Sequence, residues 1–476
     1  MLKVLFVASE AVPFSKTGGL ADVAYALPKA LRNLEVDARI MISKNFNLMP
    51  EIEEKLELLT HFEVEVGWRK QYVGIETVEY EGIPYYFVDN EYYFKRNNLY
   101  GYYDDGERYS YFSKAVLESI KYIDFIPDII HVNDWHTGII PLLLQESYGH
   151  YEKYKDIKTV LTIHNLKYQG IFGQEVLGDL LNLGGHYRTD SRIEFYGDVN
   201  YLKGGIHFAN AITTVSETYA QEIGYEFFGE RLDGDLRSNS AKLKGIVNGI
   251  DYDQYNPKTD PLIYKNYDGR SLKSKKDNKL YIQEKLKLPI QADVPMIGMV
   301  TRIVDMKGFD LIEHVFHEIL SQDIQMVVLG TGSTHYENML KYFASIYPNK
   351  LRVLLEFNNQ MAHQIYASSD MYLMPSLFEP CGLSQLIAMR YGTIPIVRET
   401  GGLKDTVGPY NQFTGEGTGF TFKNYNAHEM LFQIQEALKL YYSEAETWKN
   451  MVKRAIKVDS SWKKSAKIYK KLYEGL

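Results

Sequence analysis

Lys16-Thr17-Gly18-Gly19-Leu20-Ala21-Asp22-Val23 stands between an apolar run, Val4-Leu5-Phe6-Val7-Ala8, and an Ala/Leu-rich segment, Ala21–Leu34. The run reads as a buried strand, and the segment as a helix kinked at Pro28. A strand, a glycine turn and a helix that meet at one point aim backbone N–H groups and the positive end of a helix dipole at an anion. Gly18-Gly19 lets that anion approach the backbone closely, and Lys16 adds a mobile positive charge. One such turn is also what a tight βα connection looks like. Nearly the same residues return as Thr400-Gly401-Gly402-Leu403-Lys404-Asp405-Thr406-Val407, and the recurrence points to a ligand.

Working outward, apolar runs recur at Ile129–Val132, Thr159–Ile163 and Ala211–Val215, with helix-like segments Ser113–Tyr122, Gly138–Tyr148 and Tyr201–Ala209 between them. Continuous apolar strands separated by helices predict a parallel sheet covered on both faces, a doubly wound α/β domain. A polar stretch from Lys244 to Lys279 marks a boundary of loops and short helices. A second α/β series follows, with strands at Met296–Val300, Gln325–Leu329, Leu351–Leu355, Met371–Met374 and Thr393–Val397. The expected architecture is two Rossmann-like doubly wound domains facing each other across a cleft. Gly204-Gly205, within the helix-like Tyr201–Ala209, and Ser216-Glu217-Thr218 are candidate loop and cap features, with a purely structural role the first reading of each. Ser460–Leu476 reads as a lysine-rich helix, and its pattern does not say which domain carries it.

A chain of 476 residues is long enough for two or three domains, and 45% hydrophobic with 24% charged residues is the composition of a globular protein. A net charge of −8 gives no basic surface for nucleic acid, while leaving room for a local basic pocket. No apolar run approaches the ~18 residues of a membrane span, and no targeting segment is visible. The single cysteine, Cys381, excludes an intrachain disulfide framework and CxxC metal sites, so a cytoplasmic protein is expected. Many of the 39 tyrosines cluster between Tyr72 and Tyr111, where alternating stretches such as Glu76–Tyr80 and Pro84–Val88 read as strands. Their rings suit sugar faces, and equally a half-buried sheet surface.

In doubly wound folds ligands gather at the carboxyl ends of strands. At those ends stand Asn133-Asp134-Trp135-His136 and His164-Asn165 in the first half. In the second half Arg302 and Lys307 follow one strand, placed to hold an anion by a planar fork and a point charge. Pro375–Ser384, with Glu379, follows another, and the second glycine turn follows a third. No carboxylate cluster resembles a magnesium site, and no cofactor or metal is expected.

Seven clusters together, Lys16–Val23, Asn133–Gly138, Thr162–Asn165, Val247–Asp251, Thr301–Gly308, Pro375–Gln385 and Thr400–Val407, resemble the bacterial glycogen synthases and the plant starch synthases, in order and spacing from the first strand to about Phe420. The resemblance implies the GT-B type of retaining glycosyltransferase, using ADP-glucose to extend an α-1,4-glucan at its non-reducing end. It implies domains over 1–245 (acceptor side) and 246–456 (donor side), with a tail, 457–476, crossing back to the first. By likeness to the family's motifs, Lys16 with Gly18 and Gly19 approaches the donor diphosphate and glucosyl unit. Arg302 and Lys307 neutralise the diphosphate, Glu379 contacts the sugar, and His164 and Asp134 lie beside the glucosyl ring. Asn248 and Cys381 line the cleft, Gly401 and Gly402 offer backbone N–H groups, and Asp22, Gly382, Leu383, Ser384 and Thr400 complete the substrate-binding set. The chain departs from the pattern at Ile387, where many related transferases carry a ribose-binding glutamate, and at Ser384, where threonine is usual.

Breaking a glucose–phosphate bond leaves negative charge on the diphosphate, so fixed cations on the leaving group suit this chemistry. No residue of the sequence reads the nucleotide base, which leaves UDP-glucose open as donor. A catalytically silent glucan-binding protein is the reading from another class, and no segment resembles the lysine site of a pyridoxal-dependent phosphorylase. The sequence leaves the oligomeric state open.

Overall fold

Val4, Leu5, Phe6 and Val7 are wholly buried, because the strand they form with Lys3, β1 (Lys3–Val7), lies inside a sheet. The structure, a computed structural model, describes residues 1–45 and 48–476. It divides into unit 1, Met1–Asn248 with Trp462–Leu476, and unit 2, Gly249–Ser461.

In unit 1, β1 is followed by β2 (Asp37–Ser43), β3 (Glu57–Val66), β4 (Arg69–Tyr80), β5 (Ile83–Asp89), β6 (Ile129–Asn133) and β7 (Lys158–Ile163). A small antiparallel sheet holds β8 (Ile171–Phe172), β9 (Glu194–Phe195) and β10 (Asp198–Asn200); β11 (Ala211–Thr214) and β12 (Leu243–Gly245) return to the main sheet. Its nine strands run in the order β12-β11-β7-β6-β1-β2-β5-β4-β3. Chain order reverses at β1, which pairs in parallel with β2 on one side and with β6 on the other. The ends of β1 and β6 thus flank a topological switch point, where such sheets leave a crevice.

The tyrosine-rich segment departs from an all-parallel sheet. β4 pairs antiparallel with both β5 and β3, and β3 alternates buried and exposed residues. That alternation belongs to antiparallel edges with one wet face. The helix expected over Gly138–Tyr148 is three short pieces, Asp134–Gly138, Ile140–Leu143 and a π-helical Leu144–Tyr148, with Pro141 in the first turn of the second. The helix-like Tyr201–Ala209 is the helix Tyr201–Phe208, and Gly204 and Gly205 lie inside it, not in a loop. A Cβ on Gly205 would stand 2.6 Å from the Gly138 carbonyl oxygen, so glycine here allows two helices to touch. Ser216 caps the helix Glu217–Glu222 by accepting from the Tyr219 N–H.

The helix Trp462–Glu474 packs on the helix Gly19–Arg32, which runs through the buried Pro28. Trp462, Ala466, Tyr469 and Tyr473 belong to the same apolar core as Val4, Phe6 and Leu27. The Tyr473 hydroxyl bonds His131 Nδ1 at 2.6 Å, His131 Nε2 bonds Thr162 Oγ1 at 2.5 Å, and Thr162 bonds Thr213 at 2.5 Å. This polar chain crosses β6, β7 and β11 wholly inside the unit.

Unit 2 is built on β13 (Met296–Val300), β14 (Gln325–Leu329), β15 (Leu351–Leu354), β16 (Met371–Met374), β17 (Ile394–Arg398) and β18 (Phe420–Phe422). All pair in parallel, in the order β15-β14-β13-β16-β17-β18. Here the order reverses between β13 and β16. A 13-residue helix, Lys273–Lys285, closes the polar stretch that precedes β13.

Candidate active site

In unit 1 the glycine turn leaves β1 and enters the helix Gly19–Arg32, and its amides are already engaged by an anion of the chain itself. Glu10, buried at 2% exposure, accepts from the Thr17 N–H at 2.6 Å and from the Thr17 hydroxyl at 2.7 Å. Burial raises its pKa above the ordinary carboxylate value, against the pull of the Thr17, Ala21 and Gly18 hydrogen bonds. Lys16 pairs at 2.7 Å with Asp22 in the first helical turn. Sequence reasoning singled out the cation and the glycines and passed over Glu10. The signal was present, since a carboxylate three residues past a buried strand stands at that strand's carboxyl end.

Asp134 sits beyond β6 with φ 53°, a left-handed conformation that aspartate tolerates better than most residues. From there its Oδ1 accepts the His164 N–H at 2.7 Å, which ties the ends of β6 and β7 together. Burial pushes its pKa up to about 7. The half-buried His164 donates Nε2–H to Asn133 Oδ1 at 2.8 Å, because the Asn133 amide nitrogen is spent on the Val7 carbonyl at 3.0 Å. Desolvation lowers the His164 pKa to about 3, leaving a neutral ring whose Nδ1 is an acceptor. Asn133, which the sequence shows only as one member of its strand-end cluster, thereby sets the tautomer. His136 is packed against Trp135 and Tyr100, with ring centroids 4.1 and 4.4 Å away, and its buried Nδ1 has no hydrogen-bond partner among the described residues. Asn248, the end of the long segment of unit 1, is also buried, with Oδ1 unpartnered among the described residues.

In unit 2 the switch point carries the charged groups. Lys307, in a short turn after β13, lies 2.5 Å from Glu379 Oε2, after β16. The Ser376 hydroxyl donates to the same oxygen at 3.0 Å, while Glu379 Oε1 has no hydrogen bond among the described residues. Arg302 is exposed and without an ion pair among the described residues. The two loops that follow β16 and β17 are fused. A Cβ on Gly401, φ 43°, would stand 2.0 Å from the Glu379 carbonyl oxygen, and one on Gly402 2.0 Å from that of Cys381. Only glycine permits this approach. The Gly402 N–H is spent on the Glu379 and Pro380 carbonyls at 3.2 and 3.1 Å, so its amide serves the loop rather than a ligand. Gln385 donates to the Cys381 and Gly382 carbonyls, at 3.1 and 2.8 Å. Ser384 opens the next helix and accepts from the Tyr366 hydroxyl at 3.1 Å, while Leu383 and Thr400 precede helices at their caps. Cys381 is buried. Among the described residues no group of three or more His, Cys, Asp or Glu side chains is placed to hold a metal ion, and no helix is long and apolar enough to cross a membrane.

Two family models match the chain: the starch synthase catalytic domain over residues 3–238 and glycosyl transferases group 1 over 282–458. The chain is 55% identical to a glycogen synthase of Clostridium acetobutylicum over 473 residues, covering 99% of each. It is 55% identical to that of Caldicellulosiruptor saccharolyticus over 476 residues, covering 100% of each. This chain belongs to the starch synthase and glycogen synthase family. As a member of that family it is a glucosyltransferase with two α/β units of the GT-B fold. The catalytic domain of starch synthase IV from Arabidopsis thaliana, solved bound to ADP and acarbose, superposes with a TM-score of 0.93 at 34% identity, covering 100% of this chain and 99% of that one. A sucrose-phosphate synthase from Thermosynechococcus elongatus shares the fold, with a TM-score of 0.62 at 17% identity over 100% of this chain and 99% of that one.

Proposed function

We propose that this family member transfers glucose from ADP-glucose to the non-reducing end of an α-1,4-glucan, with retention at the anomeric carbon. The observation that carries the reading is the pairing of Lys307 with Glu379 at the switch point of unit 2. An ammonium has three donors, and the pair uses one; the others are available to a diphosphate. Arg302, exposed in the same loop after β13, is assigned to the same leaving group. Both cations act where charge develops as the glucose–phosphate bond breaks. Glu379 Oε1 is assigned to glucosyl hydroxyls, held in place through Oε2.

From unit 1, we assign the neutral His164 and Asp134 to the glucosyl ring, and Lys16, with Gly18, Gly19 and Asp22, to the donor. Asn248, Cys381, Gly382, Leu383, Ser384, Thr400 and Gly401 complete the substrate-binding set. Gly402 is assigned to shaping the loop. The choice of ADP as nucleotide rests on likeness to the ADP-bound starch synthase IV. A single, buried cysteine fits a cytoplasmic setting.

The test is incorporation of labelled glucose into glycogen from ADP-glucose and, in parallel, from UDP-glucose. Faster incorporation from ADP-glucose is expected. Incorporation from UDP-glucose alone overturns the donor, and incorporation from neither overturns the transferase reading.

A further inference from the structure

We infer that unit 2 carries a second anion site, for a small molecule bearing two or more phosphate groups, in a cationic cavity outside the residues assigned to the reaction. The cavity measures about 1160 Å³, and its walls carry Arg270, Lys273, Arg390, Lys449, Lys453 and Lys457. Ser384 opens and Arg390 ends the same short helix, so the cavity stands at the far end, about 9 Å of helix from the reaction residues.

Six cations on one cavity are out of keeping with a chain of net charge −8. The wall also contains two carboxylates, Asp268 and Asp459. Asp268 accepts from the Arg270 and Ser271 N–H groups at 2.8 and 3.2 Å and offsets part of the Arg270 charge, and Asp459 accepts the Ser461 N–H at 3.0 Å, so two carboxylates stand against six cations. Of the six cations, Lys449 has an ion pair, an exposed one with Glu446 at 3.4 Å; the other five have none among the described residues. Lys449, Lys453 and Lys457 repeat every fourth residue along the helix Ala445–Lys457, so like charges are stacked on one face. Arg270 and Lys273 stand at the start of the helix Lys273–Lys285, whose first turn has no acidic residue, so they add to its positive end instead of offsetting it. Arg390 is held in advance of any ligand: its guanidinium lies 4.2 Å from the Tyr252 ring centroid and, among the described residues, makes one hydrogen bond, to Asn256 at 3.2 Å, while its buried Nε has no partner among them.

This repulsion is relieved by a dense anion. Lysine point charges around one planar guanidinium suit phosphate oxygens, and the volume exceeds what a single phosphate fills. The Tyr252 wall also links the site to the chain's passage between units. The Tyr252 hydroxyl donates to the Val458 carbonyl at 3.2 Å and accepts the Ser460 N–H at 2.8 Å, and the Ile250 N–H bonds the Ser460 carbonyl at 2.8 Å. An occupant therefore braces the two segments by which the chain enters and leaves unit 2.

The experiment titrates inorganic tripolyphosphate into the full chain by calorimetry, at fixed ionic strength, for the wild type, Lys453→Glu/Lys457→Glu and Lys307→Ala. The expected result is binding that weakens at least about tenfold in the double variant and is unchanged in Lys307→Ala. In the wild type, hydrogen exchange at the Ile250 and Ser460 amides is expected to slow when tripolyphosphate binds. Equal affinity in the double variant, loss in Lys307→Ala instead, or no heat of binding overturns the site. Parallel titrations of the wild type and the double variant with ADP and with a sugar bisphosphate distinguish a nucleotide from a phosphosugar as the natural source, because only affinity lost in the double variant reports the cavity and ADP held at the reaction site is kept.

Discussion

Lys307 Nζ and Glu379 Oε2 lie 2.5 Å apart, and their bond joins the turn after β13 to the turn after β16. Each is more than four-fifths shielded from solvent, which strengthens the pair and fixes both groups before substrate arrives. Lys307→Ala is expected to lower kcat by roughly 10²–10³, the usual loss when one preorganised charge is removed. The variant should remain folded by circular dichroism. A kcat within about twofold of wild type removes Lys307 from the reaction.

The Glu10–Thr17 contact holds the glycine turn through a side-chain hydroxyl as well as an amide. Thr17→Val deletes the hydroxyl bond and leaves the amide bond. A lost hydrogen bond to a charged group is worth about 1.5–3 kcal/mol, so kcat/KM for the donor should fall about tenfold or more, with Thr17→Ser close to wild type. Equal kcat/KM in Thr17→Val would show that the turn keeps its shape without the clasp.

Acid should destabilise unit 1. Burial holds the pKa values of His131, His136 and His164 at about 3, below the ordinary 6.5. Between those values the unfolded chain takes up protons that the native chain refuses, so stability is lost as pH falls through that window. Asp134 acts in the opposite sense. Its native pKa of about 7 exceeds the ordinary 3.8, so the native form keeps a proton the unfolded form has lost, and stability falls as pH rises through that range. Three histidines oppose two carboxylates, Asp134 and Glu10, whose pKa burial also raises, and exchange protection in β6 and β7 should drop from about pH 7 to about pH 5. Asp134→Asn removes one opposing contribution, and the drop should steepen. Protection that is flat or rising toward acid would mean that the histidines are not held neutral by burial.

Tyr473→Phe removes the hydroxyl that bonds the wholly buried His131 Nδ1. Leaving a buried polar atom unpaired costs about 1–3 kcal/mol. The β6 amides should exchange faster, while those of β13 and β14 stay unchanged. Equal protection of β6 in the variant would show that the bond contributes nothing to the unit.

Much of the fold was legible because parallel strands buried on both faces leave continuous apolar runs. The spans Met296–Val300, Gln325–Leu329 and Met371–Met374 match β13, β14 and β16 residue for residue. The edge of unit 1 was less legible, because alternation at Glu76–Tyr80 reveals a strand without revealing its direction. Tyr201–Ala209 is legible as a helix, but the reason for Gly205 inside it is not, because what requires glycine there is the Gly138 carbonyl, remote in sequence. The same limit applies to the candidate site. Charged residues after strands announce themselves locally, as Arg302, Lys307 and Glu379 do. The Asn133–His164 bond and the packing of Gly401 against Glu379 are contacts between distant segments, and no local spacing encodes them.

The helix Trp462–Glu474 completes the core of unit 1, although the whole of unit 2 is translated before it. A nascent chain therefore carries β1–β12 out of the ribosome with one wall of their core missing. His131, Phe6 and Leu27 wait for Tyr473 and Ala466 while unit 2, continuous in sequence, is free to fold first. Synthesis from amino to carboxyl end thus does not fix the order of folding: the earlier-made unit closes last.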